Sequence, residues 1–305
     1  ETFQQFYAVS SRRTFSAKIG VPPSVIGRMY TRYFQDFQEA KVDLVDLLVT
    51  MNFFKENLSF DSLGANWQMS RTACFDLVMR TQSKLFQILD EIAWKRNEAW
   101  HPEEVVPPQG HPFEGVTFSI DGIECGIAKP ADPDQENVWY SDKAGQHTVK
   151  YELCTHISSG RIMWAAGGIP GSVNDIRLAN TSGVLDIIPA GERGLADKGY
   201  AYAPRNKLLA MLKKDKGPLT YDETVFNRTI SALRIEVERV NGRLKNFSSL
   251  WRSRNRDRNV HTMMFSILCN IVNIQMELQP LRKEIHPVLL EANIVVPPRA
   301  QVPNN

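Results

Sequence analysis

Apolar residues between Ile230 and Phe247 recur at alternating three- and four-residue steps. This spacing places them on one stripe of an α-helix and predicts a helix that is packed against a core. Arg234 and Glu238 lie one turn apart along the flank of the stripe. We therefore expect Glu238 to reach past the packed face into a neighbouring cleft, and Glu236 to point elsewhere.

The first third of the chain also shows helical periodicity. The pattern predicts helices between Val42 and Leu89, with Ser59 and Ser70 as N-caps. Two helices separated by the short turn at 68–70 fit a helix-turn-helix, whose second helix can lie in the major groove of DNA. A helical bundle that only packs on the next domain fits this segment equally well.

The pattern changes after residues 101–115, which are rich in proline and glycine and predict a linker. Apolar and polar residues then alternate from Val116 to Asp121, which predicts a strand that has one buried face and ends at Asp121. Two further strands, 148–157 and 161–167, flank a three-residue turn and predict an antiparallel hairpin.

The remainder of the chain alternates between short apolar strands and helices. Residues 193–196 predict a strand that delivers Asp197, Pro204 predicts the first turn of a helix, and 261–278 predicts an apolar helix over the sheet. Such an order defines a mixed α/β domain. We divide the chain into a helical N-terminal domain at 1–100, the linker at 101–115, an α/β domain at 116–279 and a flexible tail at 280–305.

Composition narrows the classes of protein that fit. The 36 basic and 34 acidic residues nearly cancel, so attraction to nucleic acid has to come from local clusters. The four cysteines are isolated in sequence, which predicts buried free thiols, a reducing compartment and no structural zinc. Because no run of about twenty apolar residues and no signal peptide are found, we expect a soluble protein with no membrane partner.

A basic strip follows the helix that carries Glu238. Clustered cations neutralise phosphates and an aromatic ring offers a stacking face, so the strip is a candidate DNA contact, with a solvated helix end as the alternative. We favour DNA contact because the strip leaves the helix that carries the acid. Its members are Arg243, Lys245, Trp251, Arg252, Arg254 and Arg256.

Three acids lie where two strands and a helix would bring them together: Asp121, Asp197 and Glu238. Clustered carboxylates repel one another and are normally held by hard divalent cations, here magnesium or manganese. Two such ions can activate a water or a 3′-hydroxyl and stabilise the leaving oxygen at phosphorus. Each acid alone is an ordinary surface residue, so spacing gives only a candidate site.

Ordered motifs make this site specific. The chain carries SIDG, then YSDKAGQHTVKYELCTHISSGRIMWAAGGIPGSVNDIRL, then LADKGY, then FNRTISALRIEVERVNGRLKNF. In this order they resemble the DDE endonuclease domain of PIF/Harbinger-type transposases and of the host genes derived from them. The resemblance implies an RNase H-like fold and a catalytic triad of Asp121, Asp197 and Glu238 that also binds the metal.

The resemblance extends to other residues and to partners. It implies that Asp175 is a supporting or alternative metal-site residue, with a helix cap as the ordinary alternative. We further expect Arg234 to orient Glu238. A separate Myb-like DNA-binding partner and a homo-oligomer are implied as well. The chain departs from the family at Ile123 and Glu124, which follow the first Asp-Gly where family members usually have Thr and His.

The leading interpretation is a metal-dependent DNA endonuclease or transposase, which cleaves, or cleaves and joins, DNA phosphodiesters by a two-metal mechanism. In a eukaryotic host it would act in the nucleus. The alternative is a domesticated, non-catalytic DNA- or protein-binding module that retains the transposase scaffold.

Overall fold

The N-terminal segment is helical. A computed structural model describes residues 11–92, 109–214, 217–253 and 257–281. Up to residue 92 the described chain forms α1 Arg12–Ile19, α2 Pro23–Arg32, α3 Phe34–Ala40, α4 Leu44–Glu56, α5 Phe60–Trp67 and α6 Arg71–Ile88. The prediction of helices in this region is confirmed.

Both predicted N-caps are confirmed. The hydroxyl of Ser59 accepts from the backbone N–H of Ser62, and that of Ser70 accepts from the N–H of Ala73. Between the caps α5 ends at Gln68, whose left-handed backbone turns the chain into α6. The two helices and the turn are therefore present, whereas a DNA-binding helix-turn-helix role stays a prediction.

The second part of the chain is built on a mixed sheet. Its strands are β1 Val116–Gly126, β2 Tyr140–Ser141, β3 Gln146–His156, β4 Ile162–Pro170, β5 Arg193–Ala196 and β6 Leu208–Ala210. The spatial order is β4, β3, β1, β5, β6, with β2 on the first residues of β3. The β1/β3 and β3/β4 pairs are antiparallel, and β1/β5 and β5/β6 are parallel. The predicted hairpin is confirmed.

Helices cover both faces of the sheet. They are α7 Pro133–Trp139, α8 Asp175–Ser182, α9 Val184–Ile187, α10 Tyr221–Leu233, α11 Ile235–Leu244, α12 Ser248–Trp251 and α13 Arg258–Leu278, with a 3-10 turn at Lys198–Tyr200. Residues of α8 and α9 pack on one face around Phe118 and Ile120, and α11 and α13 pack on the other around Tyr151. The mixed α/β class is confirmed, and the arrangement is consistent with an RNase H-like domain.

Three local expectations were wrong. Asp121 lies in the middle of β1 rather than at its end, because β3 pairs with β1 as far as Gly126. No helix begins at Pro204, because its carbonyl closes a single turn before the chain enters β6 beside β5. The helix predicted through Ile230 to Phe247 bends at Arg234, although the apolar stripe is buried throughout.

The helical segment and the α/β segment share one hydrophobic cluster. Ile19, Leu48 and Leu85 of the helices join Tyr151 of the sheet and Phe265 of α13 in it. Burial of apolar area across this contact ties the two parts together. Our domain boundaries stay a prediction, and residues 101–108 of the linker and 282–305 of the tail lie outside the described residues.

The cysteine prediction is confirmed in its structural part. All four thiols are free and buried: Cys74, Cys125, Cys154 and Cys269. Burial raises the pKa of each, which keeps the thiols neutral and unreactive. In the described ranges no helix is both long and apolar enough to cross a membrane.

His261 of α13 is buried against the sheet. Its Nε2 lies 3.0 Å from the carbonyl of Leu250, which only accepts, so Nε2 carries the proton and Nδ1 accepts from the hydroxyl of Tyr151 at 2.7 Å. Burial lowers the pKa of His261 from 6.5 to about 4, and the nearby Arg258 guanidinium adds to the effect. Neutral imidazole is therefore part of the folded core.

We predict a stability loss in mild acid that depends on His261. The unfolded chain takes up a proton below pH 6.5, whereas the folded chain resists it until about pH 4. The contribution is fully present above pH 6.5, and about 3 kcal/mol is lost as the pH falls to about 4. Urea denaturation across this range measures it. His261→Gln should remove this contribution, so its free energy of unfolding should fall less between pH 6.5 and 4 than that of the wild type, and parallel profiles for the two proteins would contradict the prediction.

Candidate active site

The parallel pairing of β1 with β5 brings two of the predicted acids together. Ser119 lies opposite Leu195 in this pair. Because parallel strands advance together, two residues further along each chain place Asp121 beside Asp197, where β5 has ended and β1 continues. The site therefore forms where β1 loses its parallel neighbour. Asp197 caps the 3-10 turn by accepting from Gly199 N–H at 2.7 Å.

Asp175 approaches the same place from α8. Its helix is capped by Asn174, whose side chain accepts from Arg177 N–H at 2.9 Å. The cap role that was the ordinary alternative for Asp175 thus belongs to its neighbour. The carboxylate of Asp175 is left to turn towards the sheet.

Two glycines make room for these carboxylates. A Cβ on Gly122 would lie 2.5 Å from Asp175 Oδ1. A Cβ on Gly199 would collide with Asp175 Oδ2 and lie 2.9 Å from Asp197 Oδ1. Asp175 and Asp197 therefore border the same backbone, and any side chain at Gly199 would push them aside.

Asp121 is held from the helical side. Arg234 donates to its Oδ1 at 3.0 Å and Asn241 donates to its Oδ2 at 2.8 Å. The bend at Arg234 leaves both donors facing β1. We expected Arg234 to orient Glu238, and the contact that the structure gives its guanidinium is instead with Asp121 and with the carbonyl of Ile120.

The pKa of Asp121 depends on its burial and on the charges around it. Burial raises the pKa of Asp121, Arg234 opposes this, and the charges of Asp197 and Asp175 raise it further. Repulsion among the three carboxylates is therefore part of the site. A positive charge added between them would be stabilised by all three.

Glu238 and Glu236 occupy different environments. Glu238 is exposed, four residues after Arg234 and three before Asn241, on the helix face whose other members contact Asp121. Glu236 is buried and accepts from Arg239 at 3.0 Å. Glu238 is therefore accessible to solvent, and its expected direction towards the cleft stays a prediction.

Sequence reasoning missed Glu152, a buried acid beneath the site. Glu152 is buried on β3 opposite Gly122, where it accepts from Ser182 at 2.9 Å and from the hydroxyl of Tyr200 at 3.2 Å. Burial raises the pKa of Glu152 to about 7, with Asp175 adding to the rise. A lone acid inside the apolar run of β3 was the available signal, since buried acids need partners.

Lys150 lies in an environment that the sequence pattern does not reveal. A lysine on a strand is ordinarily part of a solvated face, but Lys150 is buried, with 5% of its surface exposed. Its ammonium lies 3.3 Å from Asp175 Oδ1 and 3.4 Å from Glu124 Oε1. Sequence spacing cannot reveal the contact with Asp175, because Asp175 comes from α8, which is distant in sequence.

The basic strip is only partly available to a ligand. Arg243 is half-buried and donates to the carbonyl of Gln279 at 2.5 Å. Trp251 is half-buried, donates to Leu244 and carries the ammonium of Lys245 5.8 Å from its ring centre. Lys245 and Arg252 are exposed, whereas Arg254 and Arg256 lie outside the described residues.

The donor set fits a hard divalent cation. Asp121, Asp175 and Asp197 offer only carboxylate oxygens, which magnesium and manganese prefer, and two glycines keep the space between them free of side chains. The carboxylates do not form a closed cage. Among the described ranges no three acidic, histidine or cysteine side chains are grouped tightly enough to hold a metal ion.

Comparisons with known proteins indicate the family to which the chain is related. The sequence profile of a family described as DDE superfamily endonuclease matches residues 120–274, which contain all the carboxylates described above. The probable transposase for insertion sequence element IS702 of Microchaete diplosiphon is 29% identical over 241 residues, which is 76% of this chain and 80% of that protein. No solved structure matches the chain.

We predict that Arg234 and Asp121 are energetically coupled. Arg234→Met leaves the half-buried carboxylate without its cation and should lower the free energy of unfolding by about 2 to 3 kcal/mol. In an Asp121→Asn background, Arg234→Met should lower the free energy of unfolding by clearly less. Urea denaturation of the four proteins measures the coupling. Arg71→Met, which breaks an exposed pair with Asp61, is the control and should change little, whereas equal losses in both backgrounds would contradict the coupling.

Proposed function

The chain belongs to the DDE superfamily endonuclease family, and we propose that it cleaves DNA phosphodiesters in a metal-dependent reaction at Asp121, Asp197 and Glu238. One observation carries the proposal. Asp121, Asp197 and Asp175 come from three separate elements and approach one another where β1 passes the end of β5. Carboxylates that repel one another in this way are normally held by divalent cations.

Each residue has a distinct role in the proposed mechanism. Asp121, Asp197 and Glu238 would hold two divalent ions, with Asp175 as an additional ligand. The ions supply activation of a water or a 3′-hydroxyl and stabilisation of the leaving oxygen. The family generally uses divalent metals, which supports this assignment.

The protein itself supplies preorganisation. Arg234 and Asn241 each donate a hydrogen bond to one oxygen of Asp121 and so fix the plane of its carboxylate before substrate binds. The open position of Glu238 lets it close on the site from the helix. Gly122 and Gly199 keep the centre clear for the reacting phosphate.

DNA is the substrate that fits the family and the charges around the site. Lys245 and Arg252 are exposed on the segment that leaves α11, and they would neutralise backbone phosphates together with Arg254 and Arg256. A transposase substrate places the protein with the genome, in the nucleus if the host is eukaryotic.

Transposition is the biological setting that we propose. The printed name of the IS702 relative supports it, and the ordered motifs support the PIF/Harbinger subtype. Strand transfer by a 3′-hydroxyl, a Myb-like DNA-binding partner and a homo-oligomer belong to the same proposal.

We predict that the triad is required for cleavage. Asp121→Asn or Asp197→Asn should reduce magnesium-dependent nicking of supercoiled DNA at least ~100-fold, because several kcal/mol of transition-state stabilisation depend on the bound ions. Asp186→Asn, an exposed acid on α9, is the matched control and should retain activity. Circular dichroism checks folding. Unchanged nicking by the two triad variants would remove the mechanism, and a wild-type chain that binds DNA without nicking it would favour the non-catalytic module.

We predict that Glu238, and not Glu236, is the third catalytic acid. Glu238→Gln should abolish nicking with little change in thermal stability, because the side chain is exposed. Glu236→Gln should retain nicking but lower the melting temperature, because it weakens a buried acceptor of Arg239. The reverse pattern of activities would transfer the role to Glu236.

A further inference from the structure

A buried cation stands behind the acids of the site. Lys150 lies on β3 directly opposite Glu124 of β1, so the two are cross-strand neighbours on one face of the sheet. Its ammonium also donates to the carbonyl of Val173 at 2.5 Å. Asp175 closes the group from the N-terminal end of α8. One lysine thus serves two carboxylates that come from different elements.

We propose that Lys150 is a positioning residue that holds Asp175 while the site is free of metal and transfers to Glu124 when a divalent ion takes Asp175. The inference deepens the proposed function and rests on it. It also assigns a role to Glu124.

The geometry supports an exchange between two partners. The ammonium is almost equally distant from Asp175 Oδ1 and Glu124 Oε1, at 3.3 and 3.4 Å. Glu124 is itself fixed by the hydroxyl of Thr148 at 3.0 Å. A buried lysine that lost its only carboxylate would be left uncompensated, which is costly. With Glu124 in place, release of Asp175 leaves Lys150 paired.

The arrangement also explains how Asp175 is ready before an ion binds. Its carboxylate lies against Gly122 and Gly199 and next to Asp197, whose charge repels it. The attraction of Lys150 offsets that repulsion. A metal ion then competes with the ammonium for Asp175, so Lys150 sets the concentration at which the ion binds.

Manganese titration of the full chain tests this inference. Binding is followed by calorimetry and by the rise in melting temperature with MnCl2, and neither readout requires activity. Lys150→Met should lower the melting temperature without metal and reduce the half-saturating manganese concentration roughly tenfold, because the competing cation is gone. Glu124→Gln should raise the half-saturating manganese concentration, because Lys150 then has Asp175 as its only carboxylate and competes with the ion more strongly.

An Asp175→Asn background separates positioning from general electrostatics. If Lys150 acts through Asp175, the effects of Lys150→Met and Glu124→Gln on half-saturation should almost vanish there. Lys129→Met, at an exposed pair with Glu136, is the matched control and should leave the titration unchanged. Should Lys150→Met fail to fold, Glu124→Gln alone decides the outcome.

The possible results are distinct. Opposite shifts that vanish without Asp175 support the inference. Shifts of the same size in the Asp175→Asn background, or no shift in any variant, overturn it while leaving the proposed function intact. A wild-type chain with no response to manganese overturns both.

Discussion

Repulsion among carboxylates is the constraint on which the site depends. β1 and β5 run in parallel as far as Leu195, and the next residues bring Asp121 and Asp197 together as Asp175 arrives from α8. Two buried cations offset this charge, Arg234 from the helical face and Lys150 from the opposite face. The fold therefore maintains an acidic cluster without a bound ion, because each of the three carboxylates has a nitrogen donor as its partner.

The two cations reach the acids from opposite sides of the sheet. Asn241 lies on α11 and Arg234 immediately precedes it, and α11 packs on the large core shared with the N-terminal helices. Asp175 and its helix pack on the smaller cluster around Phe118. The site thus lies where two separate cores meet the end of β5. A change in the packing of either core would move Arg234 and Asn241 relative to Asp175. The geometry of the acids therefore depends on the packing of both cores.

Local patterns in the sequence predicted much of this arrangement. The buried stripe from Ile230 to Phe247, the β3/β4 hairpin and the strand that delivers Asp197 all follow from periodicity and turn chemistry, which depend on near neighbours. The order of the motifs indicated a DDE endonuclease domain. The same helical spacing separates the exposed Glu238 from the buried Glu236.

The remaining features depend on contacts between distant residues. Alternation identified β1 but not the point where its neighbour β5 ends, so Asp121 was placed at a strand end. Asp175 and Asn174 compete for one cap, and only the approach of α8 to Gly122 decides between them. Lys150 on a strand indicates a solvated face until Asp175 of α8 is known to contact it. Pairings of this kind leave no periodic signal.

Crystals of the chain soaked in manganese would test the central claim most directly, through the anomalous scattering of the ion. The account predicts an anomalous peak bounded by the carboxylates of Asp121, Asp197 and Asp175, with Glu238 turned towards it. A fully occupied peak elsewhere on the protein, with these carboxylates unchanged, would contradict the claim that this cluster is built to share divalent ions.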